Sequence, residues 1–145
     1  MKSITLLTLL TSLSISAFAA DSSITQSYIQ LSEQKKLEQD KTWLRLMYTN
    51  AKGKSEVEYS GYFLSNQGKS DLKKELHSNI QALFQSAESN QSVRCRFPAR
   101  SQWIMRQLEI QESELPAVEC PEYDQWMGQI KPHKATLIYA TDFMG

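Results

Sequence analysis

The chain has 145 residues, and its 16 lysine and arginine residues balance 16 aspartate and glutamate residues, so the formal net charge is zero. A neutral chain lacks the strong positive field that attracts nucleic acid or an anionic membrane, and neither is predicted as a partner. Glycine and proline are scarce, with 5 and 4 residues, which favours helices joined by short loops.

The first 19 residues have the three parts of a secretory signal peptide. Lys2 supplies a positive charge, residues 4–15 are mostly apolar, and Ala17-Phe18-Ala19 forms an A-x-A cleavage site. The apolar stretch is shorter than the roughly 20 residues that span a bilayer, and a retained N-terminal anchor is the alternative. No cysteine follows the cleavage site, which excludes lipid attachment there. We predict one small periplasmic domain over residues 20–145, with no membrane span in the mature chain.

Two short helices are predicted at the start of this domain. Ser22 or Ser23 would cap the first, and Asp40 would cap the second. Both carry apolar side chains at helical spacing, and we assign the cluster of the second helix to the core. These are Ile24, Tyr28 and Leu31 in the first helix, and Trp43, Leu44, Leu46, Met47 and Tyr48 in the second.

Residues 55–64 alternate weakly between polar and apolar types, which fits either a short β-strand or an extended loop. Turns that contain Gly53 and Gly68 bound this segment. The clearest helical pattern follows, with Ser70 or Asp71 as its cap. Its apolar face consists of Leu72, Leu76, Ile80, Leu83 and Phe84.

A serine-rich linker at residues 86–92 precedes the remaining elements. Pro98 is suited to the first turn of a helix, because its missing N–H is not needed there. Residues 112–119 form an acidic loop, and Pro121 opens a last short helix that ends near Gly128.

Residues 134–143 are β-prone and predict a C-terminal strand. No partner strand is evident in the sequence: the strand either pairs with the region around Val57, or its partners are absent. The predicted fold class is therefore mainly α. It is a small domain of four to five helices with a short extended or β segment, a C-terminal strand and one disulfide.

Cys95 and Cys120 are the two cysteines of the chain. In an exported protein they most simply form one disulfide, which would close a loop of about 25 residues. The alternative is a Cys95 thiol nucleophile, activated by the flanking arginines, with His77 or His133 as its base. Neither histidine has a recognisable catalytic context, and the spacing does not match a metal site. We predict no catalytic residue, no metal and no cofactor.

Four arginines crowd the region around Phe97 and Trp103, namely Arg94, Arg96, Arg100 and Arg106. Arg96 and Arg100, beside Trp103, could present two guanidinium groups to a phosphate or carboxylate ligand. The favoured alternative is a structural role, in which nearby carboxylates neutralise the arginines. The candidates are Glu109, Glu112, Glu114, Glu119 and Glu122. Exposed, unpaired guanidinium groups around a cleft would favour ligand binding.

A series of short motifs extends along nearly all of the mature chain. They are Trp43-Leu44-x-Leu46-x-Tyr48, Tyr62-Phe63-Leu64-Ser65-x-x-Gly68-Lys69, Glu75-Leu76, Cys95-Arg96-Phe97-Pro98-Ala99-Arg100 with Trp103, Cys120 before Trp126, and residues 137–143. In this order, the motifs resemble the N-terminal region of bacterial envelope proteins that carry the Lnb-type periplasmic domain, a family named after a lipoprotein acyltransferase. The first motif is one residue shorter here than in the family.

In that family, the last strand leads into a segment similar to S-M-F-G-H-T, which opens a cysteine-peptidase-like catalytic domain. The sequence ends at Gly145 before such a segment, so the resemblance implies the accessory region without catalytic residues. The expected function is a non-catalytic periplasmic module that packs against a catalytic domain or another envelope protein. The alternative is a free-standing binder of an anionic envelope ligand through Arg96, Arg100 and Trp103.

Overall fold

The computed structural model describes the backbone of residues 13–130 and the side chains of residues 23–130. This part of the chain contains six α-helices and no β-strand, which confirms the mainly helical fold class. Three short 3-10 helices complete it, at Leu37–Gln39, Ser60–Tyr62 and Glu112–Glu114. No helix within the described residues is long and apolar enough to cross a membrane. The predicted strand at residues 134–143 lies outside this range.

Helix α1 spans Leu13–Gln34, so it includes the predicted cleavage site. The prediction that this helix begins at Ser22 or Ser23 is wrong, because α1 already begins at Leu13. Residues 13–20 contain neither glycine nor proline, so nothing in them interrupts a helix. Further along α1, Ile29 and Ser32 are buried and join the helix to the core.

Helix α2 spans Lys41–Leu46 and begins at the predicted cap. The Asp40 carboxylate accepts a hydrogen bond from the N–H of Thr42 at 2.7 Å. Trp43 is fully buried, and its indole stacks on that of Trp103 with ring centroids 5.6 Å apart. Trp43 and Met47 thus enter the core as predicted, and Leu44 and Leu46 pack against it. The assignment of Tyr48 to the core is wrong, since it is 66% exposed: it lies beyond the end of α2, with φ 49°, and so leaves the buried face of the helix.

Residues 55–64 form a loop with one turn of 3-10 helix, not a strand. Within the described residues, β-type pairing is limited to one bridge between Thr49 and Ser55. The next N–H, that of Glu56, donates to the carbonyl of Tyr48 at 2.9 Å. The start of this segment is therefore hydrogen-bonded to the residues that end α2, and within the described residues it does not pair with a second strand.

Helix α3 spans Leu72–Leu83 and supplies much of the core. Asp71 caps it by accepting a hydrogen bond from the N–H of Lys74 at 3.0 Å. The five predicted apolar residues are all buried, and together they contribute on the order of 10 kcal/mol before the loss of conformational entropy. Two polar residues of the same helix, Glu75 and Asn79, are also fully buried, which the sequence analysis did not predict.

Two helices occupy the place of the single helix predicted after the serine-rich linker. Helix α4 spans Val93–Arg96 and is capped by Ser92, whereas α5 spans Pro98–Leu108. The break falls at Phe97, with φ −133° and ψ 60°, because the residue before a proline disfavours the helical conformation. Pro98 opens α5 as predicted.

Helix α6 spans Pro121–Gln129, close to the predicted bounds. The core lies where α1, α3 and α5 pack against one another, with α2 against α5. Helix α6 contributes no buried residue to this core.

Candidate functional site

The predicted disulfide is confirmed: Cys95 and Cys120 are bonded, with 5.3 Å between their Cα atoms. Cys95 lies in α4, and Cys120 immediately precedes α6, so the bond attaches α6 to the helical core. A thiol nucleophile at Cys95 is not available in this bonded state. The bond joins residues separated by 25 positions, and the chain-entropy model gives a stabilisation of about 3.5 kcal/mol for such a loop.

Asn90 provides a second attachment for the start of α6. Its backbone is left-handed, with φ 65°, and its N–H donates to the carbonyl of Glu119 at 3.4 Å. Its side-chain oxygen accepts a hydrogen bond from the N–H of Glu122 at 3.2 Å. Asparagine suits this position, because it tolerates the left-handed region and its short side chain reaches nearby backbone. The beginning of α6 is therefore held at two neighbouring points.

Four apolar residues form a stripe along α6 and its C-cap at the spacing i, i+3, i+4 and i+7: Tyr123, Trp126, Met127 and Ile130. We call this set the α6 stripe. Such a pattern normally marks the face that a helix packs against a core. Here the side chains of Trp126, Met127 and Ile130 are 56, 44 and 42% exposed. Three of the four stripe residues are thus exposed, and Tyr123 is half-buried, although the spacing is that of a helix face packed against a core.

A cleft of about 650 Å³ separates α6 from α5. Pro98, Gln102 and Met105 of α5 line one side, and Tyr123 and Asp124 of α6 line the other. Within the stripe, Tyr123 lines this cleft, whereas Trp126, Met127 and Ile130 do not. Helix α6 therefore leaves a gap to α5 and buries no residue of its own in the core.

Arg100 and Trp103, two of the three predicted ligand-binding residues, are buried, with 3 and 7% exposure. Arg100 Nη1 donates to the carbonyl of Tyr62 at 2.8 Å and lies 3.4 Å from Oε1 of Glu75. The guanidinium also stacks over the rings of Tyr62 and Phe97, at 3.9 and 4.3 Å from their centroids. These contacts give Arg100 a structural role inside the fold.

Glu75 joins Arg100 to the loop before α3. Its carboxylate accepts hydrogen bonds from the N–H groups of Leu64 at 3.0 Å and Ser65 at 2.8 Å. A Cβ atom at Gly68 would lie 2.3 Å from Glu75 Oε2, so the loop needs glycine at this position. The sequence analysis did not assign Glu75 as the partner of Arg100. A glutamate within the apolar face of α3 is the signal that could have indicated it.

Arg96 is the exposed member of the predicted ligand-binding set, and it donates to the carbonyl of Gly61 at 3.4 Å. The predicted pairing with the acidic loop is present for Arg94, whose Nη1 lies 3.6 Å from Glu112 Oε2. The three predicted ligand-binding residues therefore do not form one accessible surface in the described structure.

His77 lies on α3, with Nε2 3.6 Å from Oε1 of Glu33 on α1. Burial lowers the pKa of His77 below its usual 6.5, against the opposing effect of Glu33. His133, the other predicted candidate base, lies outside the described residues. Within residues 23–130, no group of three or more histidine, cysteine, aspartate or glutamate side chains could hold a metal ion.

Comparison with known families matches residues 35–107 to the family described as Domain of unknown function (DUF7843). The match covers half of the chain. The chain belongs to the DUF7843 family. Searches among curated proteins and among solved structures found no match.

The DUF7843 region contains α2, α3, α4 and all but the last residue of α5. It includes Glu75, Arg100 and Cys95, whereas Cys120 and the α6 stripe lie beyond it. The disulfide therefore links the DUF7843 region to the segment that follows, and it presents α6 at the border of that region.

Proposed function

We propose that this chain is a non-catalytic periplasmic accessory module of an Lnb-like envelope protein, and that the α6 stripe docks into an apolar groove on the catalytic domain of such a protein. The exposure of this stripe is the observation that carries the proposal.

The composition and spacing of the α6 stripe support a docking role. An amphipathic helix that enters a groove presents anchors at i, i+3, i+4 and i+7. Tryptophan and tyrosine dominate the residues with the largest contributions to binding, and methionine is also enriched at interfaces. The disulfide and Asn90 fix the start of α6 before binding, which reduces the entropy lost on association.

Export is supported by the signal-peptide pattern of residues 1–19 and by the disulfide. Such bonds persist in oxidising compartments, which include the bacterial periplasm, and are rare in the cytosol. Both features are consistent with a module of the cell envelope.

The accessory role is supported by what the reactive side chains do in the described structure. Cys95 is bonded to Cys120, and Arg100 forms an ion pair with Glu75 inside the core. His77 lies beside Glu33 at the contact of α1 and α3. Each of these groups thus contributes to the fold.

Direct binding tests the docking proposal. The full chain would be titrated by calorimetry against the separately produced catalytic domain of an Lnb-like envelope protein. We expect saturable binding that the Trp126→Ala/Met127→Ala variant weakens at least tenfold. The matched control is Ile24→Ala, because Ile24 is also 44% exposed but lies on α1. Equal affinity of the stripe variant and the wild type would contradict the proposal.

An activity assay tests the non-catalytic part separately. Purified chain would be incubated with acylated peptide and with peptidoglycan fragments, and released or transferred products would be measured. We expect no turnover above the rate without protein. Turnover that disappears in Cys95→Ser would show that the chain is an enzyme, whatever α6 binds.

A further inference from the structure

A second cleft, of about 420 Å³, lies where the end of α2, the loop before α3 and the start of α5 meet. We call it the α2–α5 cleft. Its volume is within the range of about 300–1,000 Å³ that is usual for small-molecule sites. Its lining contains three aromatic rings and two arginines: Thr42, Arg45, Leu46, Tyr48, Tyr62, Phe97, Pro98, Ala99 and Arg100.

The charges of the α2–α5 cleft are positive. Arg45 is exposed, and its side chain forms no ion pair with any residue from 23 to 130. Arg100 pairs with Glu75 through Nη1, but its Nη2 is buried and has no hydrogen-bond partner in the described part of the chain. A buried donor without a partner is unfavourable, so an anion that reaches it would be stabilised.

Tyr48 is held in an unfavourable backbone conformation at this cleft, with φ 49°. It ends α2 in a Schellman motif: the N–H of Thr49 donates to the carbonyl of Leu44, and that of Tyr48 donates to the carbonyl of Arg45, both at 3.0 Å. Glycine is usual at this position, because a side chain is disfavoured there.

The Tyr48 side chain is 66% exposed, and its ring meets the edge of Tyr62 at 6.3 Å. A strained residue with so little burial contributes little to the core. Backbone strain of this kind occurs preferentially at binding sites.

We infer that the α2–α5 cleft binds an anionic amphiphile, in which a phosphate or carboxylate group is joined to an apolar body. The anionic group accepts hydrogen bonds from exposed Arg45, close to the positive charge of Arg100, whose Nη2 is buried and without a partner in the described residues. The apolar body packs on the rings of Tyr48, Tyr62 and Phe97. This site does not depend on the α6 stripe, and it is separate from exposed Arg96.

Calorimetric titration of the full, disulfide-bonded chain with octyl phosphate at low ionic strength tests this inference. We expect saturable binding with one site per chain. Arg45→Ala should weaken it at least tenfold, the effect of losing one charge-assisted hydrogen bond. Arg106→Ala is the matched control, because Arg106 is likewise exposed and forms no ion pair within residues 23–130. Equal loss in both variants would overturn the site.

Two further ligands separate the contributions of charge and apolar surface. Inorganic phosphate lacks the apolar body, and octyl glucoside lacks the negative charge. Each should bind at least tenfold more weakly than octyl phosphate. If octyl glucoside binds as well as octyl phosphate, the anionic specificity is wrong. If inorganic phosphate binds as well as octyl phosphate, the proposed contact of an apolar body with the aromatic rings is wrong.

The variant Tyr48→Asn tests the strained residue without unfolding the protein. Asparagine tolerates the left-handed region, so the melting temperature should be unchanged or higher. Binding of octyl phosphate should nevertheless weaken about fivefold, because the exposed ring is lost. Unchanged affinity would show that Tyr48 takes no part in the site.

Vesicle sedimentation distinguishes a membrane lipid from a free amphiphile as the source of the anionic group. The chain would be mixed with phosphatidylglycerol vesicles and, as a control, with phosphatidylcholine vesicles. Sedimentation with phosphatidylglycerol that Arg45→Ala abolishes supports a lipid ligand. Octyl phosphate binding without sedimentation supports a free one. The absence of both overturns the inference.

Discussion

Glu75 and Arg100 form an ion pair inside the core, with Oε1 and Nη1 3.4 Å apart and side chains that are 0 and 4% exposed. Glu75 belongs to α3 and Arg100 to α5, and Glu75 also holds the N–H groups of Leu64 and Ser65. The pair thus connects two helices and a loop. Arg100, which the sequence analysis considered as a ligand-binding residue, therefore joins elements of the interior.

The variant Glu75→Ala should lower the free energy of unfolding by about 3–5 kcal/mol, because it leaves Arg100 buried beside no charge partner. Urea denaturation followed by circular dichroism measures the change. Glu58→Ala is the control: Glu58 pairs with Lys69 at 2.6 Å, but its side chain is 87% exposed. An exposed pair contributes at most about 1 kcal/mol.

The double variant Glu75→Leu/Arg100→Met completes this test. Replacing both charges by apolar side chains should destabilise less than the sum of the two single variants, since neither charge is left unpaired. An additive result would show that the two side chains act independently.

Gly68→Ala and Gly128→Ala should have opposite effects on stability. A Cβ at Gly68 would lie 2.3 Å from Glu75 Oε2, and that carboxylate is fixed by its hydrogen bonds, so we expect a loss of about 1–3 kcal/mol. At Gly128, within α6, a Cβ meets no described atom within 4 Å. Alanine there should stabilise the helix by roughly 0.5–1 kcal/mol. Thermal unfolding of both variants checks the signs, and a neutral Gly68→Ala would contradict the geometry.

Removal of the disulfide should release α6 before it unfolds the core. Cys95→Ser/Cys120→Ser should lower the free energy of unfolding by about 3.5 kcal/mol, the chain-entropy value for this loop. Hydrogen exchange should show faster exchange of the α6 amides at residues 124–129, because only hydrogen bonds, such as those of Asn90 and Ser89, would still hold the start of the helix. Unchanged exchange in α6 would mean that the disulfide does not position this helix.

Local patterns predicted the elements that depend on neighbouring residues. The apolar face of α3, the caps Asp40 and Asp71, and the opening of α5 by Pro98 follow from residues within one or two helical turns. The disulfide was predicted because the chain has two cysteines and a sequence pattern that predicts export.

Two features that were not predicted, the pairing of Glu75 with Arg100 and the exposure of the α6 stripe, depend on distant contacts. Glu75 lies 25 residues before Arg100 in the sequence, whereas the sequence pattern favours carboxylates nearer to the arginine as its partners. The α6 stripe has the pattern of a core face, and only the packing shows that α6 buries no residue in the core. The break at Phe97 is local, but the pattern of α5 alone does not reveal α4 before it.

His77 should make the stability of the fold depend on pH. Burial lowers its pKa below 6.5, so the unfolded chain binds this proton more readily than the folded chain. Stability is therefore fully present above the unfolded-state pKa and is lost as the pH falls through about 6.5. We expect the free energy of unfolding, measured in urea, to decrease between about pH 7.5 and pH 5.5.

The variant His77→Gln should remove this decrease, since glutamine does not titrate. Glu33 has a pKa lowered by its hydrogen bond with Lys73, so its contribution is lost only below its usual 4.5 and falls outside the histidine range. If His77→Gln keeps the same slope between about pH 7.5 and pH 5.5, another group binds the proton on unfolding, and burial of His77 does not control the pH dependence.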